Sequence, residues 1–122
     1  MRLRLGVVFA GALASGAWAQ GPSRFDGQYT GELILTNTIR GDCATPPLGA
    51  LYPLTIAGGE VRFAYAPRFG TTLIGRIADN GIFQASSGAR HGRVQMSGRI
   101  LAGNLSATIS SPSCRYAFQT KN

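Results

Sequence analysis

From residue 28 onward apolar and polar positions alternate in short runs cut by glycine-bearing turns, and no stretch keeps a helical period over three turns. Gln28–Asn37 sets Tyr29, Gly31, Leu33 and Leu35 on one face and Thr30, Glu32 and Thr36 on the other. Period two is the mark of a half-buried strand. The same alternation groups Tyr52, Leu54 and Ile56, then Val61, Phe63 and Tyr65, then Leu73, Gly75 and Ile77, then Phe83 and Ala85. It continues with Val94, Met96, Gly98 and Ile100, with Leu105, Ala107 and Ile109, and closes with Cys114, Tyr116 and Phe118. Eight strands are predicted.

Segments 54–65, 75–86 and 98–109 repeat one plan: an isoleucine, a turn carrying glycine, and a strand that opens on an apolar residue. Turns on Gly58-Gly59, Asn80-Gly81 and Gly103-Asn104 tolerate the positive φ angles that tight hairpins require, so consecutive strands are expected to pair antiparallel. Gly31, Gly75 and Gly98 fall on the inward face, where glycine permits the sharp bend a sheet needs to curl onto itself. The expected fold class is all-β: a small eight-stranded antiparallel up-and-down meander closed into a barrel. Eight strands enclose room for packed side chains or one small ligand.

A meander sends alternate connections to opposite poles. The three glycine turns share one pole. The other receives Thr38–Leu51, Ala66–Gly70, Ser86–Gly92 and Ser111–Ser113, and with them Arg40, Arg68, Phe69, Arg90 and His91. Cys43 lies in the first of these connections and Cys114 opens the final strand, which a closed barrel sets beside the first. A disulfide between them is the expectation, since export brings a cysteine pair into an oxidising compartment.

Export itself is read from the start of the chain. Arg2 and Arg4 precede an apolar run from Leu5 to Ala14, and Ala17-Trp18-Ala19 offers small residues where a signal peptidase cleaves. The expected organisation is a signal peptide over 1–19, a short leader over 20–27 and a single barrel domain over 28–122. The product is expected to be soluble and periplasmic or secreted. An outer-membrane barrel needs apolar outward faces and longer strands, whereas Arg62, Arg76, Arg93, Arg99 and Arg115 alternate outward here. No membrane span is expected.

Charge and composition narrow the function by exclusion. The chain has 122 residues and a net charge of +7, which falls to +5 once Arg2 and Arg4 leave with the signal segment. Lys121 is the sole lysine, so the basic groups are guanidinium forks suited to carboxylates and phosphates. One histidine, five carboxylates and two cysteines supply few catalytic parts. Ser86, Ser87, His91 and Asp79 fail as a triad because Asp79 belongs to the opposite pole. His91 lacks companions for a metal site, and no phosphate loop, dinucleotide fingerprint or zinc motif occurs. No enzyme activity, cofactor or metal is expected. Nucleic acid is disfavoured because Tyr29, Phe63, Phe83, Tyr116 and Phe118 read as inward, leaving few exposed stacking platforms.

The segments FDGQYTGELIL (25–35) and SPSCRYAFQ (111–119), with the glycine hairpins between them, resemble small exported bacterial proteins of β-barrel-like build, a resemblance that brings no activity with it. In architecture the chain also resembles avidin-like and lipocalin-like barrels and the small periplasmic inhibitors of lysozymes and proteases. It departs from avidins in having no tryptophan after the signal segment. It departs from one lysozyme-inhibitor family in following Ser87-Gly88 with Ala89-Arg90-His91 rather than a motif ending in tyrosine.

The expected function is therefore a non-enzymatic binding module that engages an anionic or amphipathic ligand, or an acidic protein surface, at the open rim. Arg40, Arg68, Arg90 and His91 would supply charge there, and Phe69 with Tyr65 contact area. An inhibitor of a secreted or periplasmic enzyme is the alternative, and a structural envelope component the third reading.

Overall fold

A computed structural model describes residues 23–66, 71–87 and 93–120. The signal segment lies outside the described residues, as do Arg68, Phe69, Arg90 and His91. The strands are β1 (Gly27–Thr38), β2 (Tyr52–Ala57), β3 (Glu60–Ala66), β4 (Thr71–Ile77), β5 (Ile82–Ser86), β6 (Gln95–Leu101), β7 (Asn104–Ser110) and β8 (Cys114–Thr120). Each pairs antiparallel with the next, and β8 returns to pair with β1, giving a closed barrel. The alternation read from the sequence is the alternation of burial. Leu54, Val61, Phe63, Leu73, Met96, Leu105, Ile109 and Phe118 point inward with almost no exposure, while Arg62, Arg76 and Arg99 stand exposed on the outer wall. No helix among the described residues is long and apolar enough to cross a membrane.

The barrel axis is filled. Phe63, Phe83 and Phe118 are the largest wholly buried side chains, and the rings of Phe63 and Phe118 meet at 5.0 Å between centroids with a 60° tilt. Burying such rings is worth roughly 1.5–3 kcal/mol each from area alone, and tilted contact adds to it.

One pole is closed by tight turns. Gly58 and Gly59 both have positive φ and link Ala57 to Glu60, the two-residue connection whose twist suits a hairpin. The β6–β7 turn is centred one residue earlier than the sequence suggested. Its positive-φ pair is Ala102 (φ 53°) and Gly103 (φ 81°), and Asn104 already belongs to β7, opposite Leu101. Alanine in that conformation costs about 1 kcal/mol, because its Cβ crowds the following carbonyl. The pairing of Leu101 with Asn104 imposes it.

The barrel's contacts begin ahead of β1. Phe25 packs against the core, and the Asp26 carboxylate accepts hydrogen bonds from the amides of Gly58 (2.8 Å) and Gly59 (3.3 Å). The Tyr29 hydroxyl donates to the Phe25 carbonyl at 2.6 Å. The turn between β2 and β3 is thus tied to the segment that enters β1.

β1 is the longest strand and has a divided role. It pairs with β2 only through Gly27–Gly31 and with β8 only through Gly31–Thr38, with a bulge between Leu35 and Asn37. Gly31 is the crossover, paired on both sides.

Candidate functional site

The β1–β2 connection and the β7–β8 turn meet at the pole opposite the tight turns, and backbone geometry anchors them there. The amides of Ile39 and Arg40 both donate to the Ser113 carbonyl, at 2.7 and 3.4 Å, which folds the start of the β1–β2 connection onto the β7–β8 turn. Cys43 is bonded to Cys114, with 5.9 Å between their Cα atoms. One residue further, the Tyr116 hydroxyl donates to the Ala44 carbonyl at 2.7 Å. The β7–β8 turn is itself braced: the Ser111 amide donates to the Cys114 carbonyl, and the Cys114 amide donates to Ser111 Oγ. Arg115 reaches back from β8 to donate to the Ser111 carbonyl.

Two tyrosines line the mouth beneath these connections. The rings of Tyr65 and Tyr116 meet edge-on at 5.9 Å. Burial, followed by the neighbouring Tyr116, pushes the pKa of Tyr65 up to about 12. Burial raises that of Tyr116 as well. Both phenols therefore stay neutral near pH 7 and serve as hydrogen-bonding groups, not as acids.

Of the sequence-derived rim residues, Arg40 is exposed at this pole. The other four fall in connections outside the described residues, but their flanks are fixed. β3 ends with Ala66 and β4 begins with Thr71 at this end. The Ser87 amide donates to the Val94 carbonyl and the Val94 amide to Ser87 Oγ, closing the neck of the connection that carries Arg90 and His91. Asp79 occupies the β4–β5 turn at the far pole, away from Ser86 and Ser87. Among the described residues no three His, Cys, Asp or Glu side chains come together as metal ligands would.

Two surface grooves escaped the sequence reading. One, of about 370 Å³, crosses the outer faces of β4, β5 and β6 and is edged by Ile74, Gln84, Ser86, Arg93 and Gln95. The other, of about 410 Å³, separates Glu32–Leu35 of β1 from Thr45–Ala50 of the first long connection. Its only sequence signal is Pro46-Pro47, two residues without an N–H in a segment that runs beside a strand.

No protein family, curated protein or solved structure matches this chain.

Proposed function

We propose that the chain is an exported, non-enzymatic binding module that recognises an anionic or amphipathic surface with its long-connection pole. Arg40, Arg68 and Arg90 supply the charge, His91 and Phe69 further contacts, and the braced β7–β8 turn the rigid base. The observation that carries this reading is the fastening of the first long connection to β8 by the Cys43–Cys114 bond and the Tyr116–Ala44 hydrogen bond, which holds that loop on the barrel. The filled axis favours one form of it. With Phe63, Phe83 and Phe118 occupying the interior, recognition falls to the surface, as in an inhibitor or other protein-interaction module, more than to a carrier that encloses its cargo. The disulfide suits an oxidising compartment, in keeping with the signal-like first 19 residues.

Heparin serves as a polyanionic probe. Replacing Arg40, Arg68 and Arg90 together with alanine should weaken heparin binding at least tenfold at 0.15 M salt. The charge-matched triple change at Arg62, Arg76 and Arg99 on the outer wall should weaken it less than threefold. Equal losses from the two variants would reduce the interaction to net charge and remove the pole as a site.

A further inference from the structure

The groove beside β1 is bounded by a strand edge that has lost its neighbour. Beyond Gly31 no residue of β1 pairs with β2, because β2 starts at Tyr52, the partner of Gly31. From Leu33 to Thr38 the strand is bonded on its β8 side alone. No backbone hydrogen bond joins this stretch to the Thr45–Ala50 segment that runs alongside. Three of that segment's six residues offer no amide to a ladder: Pro46 and Pro47 have no N–H, and the Ala50 amide donates to the Pro47 carbonyl at 3.2 Å. The effect reaches the side chains. Leu33 and Leu35 occupy inward positions yet remain only half-buried, whereas inward leucines on the fully paired strands are sealed.

The chemistry of the groove defines its occupant. A row of alternating amide and carbonyl groups at strand spacing is complementary to one thing, another extended polypeptide backbone. Leu33, Leu35, the exposed Ile34 and the wholly exposed Leu48 at the tip of the far wall offer contacts for alternating apolar side chains.

We infer that this seam is a β-addition site, at which an extended segment of a partner polypeptide, apolar at alternate positions, pairs with β1 as the neighbour that β2 does not provide. The inference deepens the protein-recognition form of the proposed function and rests on it, but uses different residues from the arginine pole.

The probe is a library of capped heptapeptides with threonine at alternate positions, valine, isoleucine, leucine or tyrosine between them, and a lysine at one end. Binding to the full chain is followed by fluorescence anisotropy and by hydrogen exchange. Members that bind should slow exchange of amides within Leu33–Thr38 at least tenfold. Methylating alternate backbone nitrogens of the peptide along its pairing edge should abolish binding. Ile34→Asp and, separately, Leu48→Asp should weaken binding at least tenfold; both alter exposed side chains and should leave the unfolding midpoint in place. The Arg40, Arg68 and Arg90 triple variant should bind peptide normally while losing heparin, so the two sites fail separately. Absence of binding by every member, protection elsewhere, or equal binding by the methylated peptide would overturn the seam.

Discussion

Replacing Cys43 and Cys114 together with serine should lower the unfolding free energy by about 4 kcal/mol, measured by urea denaturation of the oxidised wild type and the double variant. The bridge spans a sequence separation of 71 residues. Cross-linking a loop of that length removes entropy from the unfolded chain worth about 4 kcal/mol in the chain-entropy model. A domain of this size has a total stability of about 5–15 kcal/mol, so the loss is large against the whole. The native side agrees with the arithmetic. The bond holds the connection that leaves β1, and β1 beyond Gly31 has β8 as its only partner strand. Hydrogen exchange in the variant should accelerate most in Leu33–Thr38 and in the connection after it, and least in β3 and β6. A loss under about 1 kcal/mol would mean that the reduced chain is already constrained by other contacts.

Gly75→Ala should be nearly as damaging, at about 3 kcal/mol, near the upper end of ordinary overpacking. A Cβ on Gly75 would run into the Gln84 carbonyl oxygen and come within 2.6 Å of both the Gln84 carbonyl carbon and the Ala85 Cα. All three are backbone atoms of β5, so no rotamer change relieves the clash and β4 must part from β5. Gly75 pairs with Val61 on one side and Ala85 on the other, and separation there disturbs ladders on both sides of β4. Gly98 is a useful comparison. Its Cβ would meet the Ala107 Cβ and the Phe83 ring tip at 2.6 and 2.7 Å along with the Ser106 carbonyl, and of these the Phe83 ring tip alone can move without the backbone. Thermal or urea unfolding of the two single variants should rank Gly75→Ala as the worse. A cost below about 0.5 kcal/mol at Gly75 would show that the close approach of β4 and β5 does not hold.

Much of the fold was legible because period-two patterning is a local property. The inward sets in β2 through β8 follow from alternation alone, and Gly58-Gly59 marks its turn without help from tertiary structure. The inward glycines were read as points of bending, and the structure gives Gly75 and Gly98 a different reason, since a side chain there would collide with the neighbouring strand. Matters of register were not legible. Whether the β6–β7 turn centres on Gly103-Asn104 or on Ala102-Gly103 depends on the pairing of Leu101 with Asn104, and alanine gives no local sign of a left-handed conformation. The reach of β1 past its pairing with β2 is likewise a property of two strands ending at different heights. The alternation of Gln28–Asn37 predicted the strand but could not say which neighbour each half would have. Phe25 and Asp26 lie ahead of the alternating region, and their roles depend on the distant Gly58-Gly59 turn. For the candidate site, topology alone put Arg40 and both cysteines at one pole, because alternate connections of a meander must share an end. The groove beside β1 needed coordinates, since an unpaired edge has the same sequence as a paired one.

Closure of the barrel by β1 and β8 supports both proposed surfaces, and interstrand backbone NOEs from an isotope-labelled sample test it most directly. Contacts between Leu33 and Phe118 and between Leu35 and Tyr116 are expected, together with none between the Leu33–Thr38 backbone and β2. An open sheet lacking the β1–β8 contacts, or a β1 paired with β2 along its full length, would contradict the structure on which the pole and the seam depend.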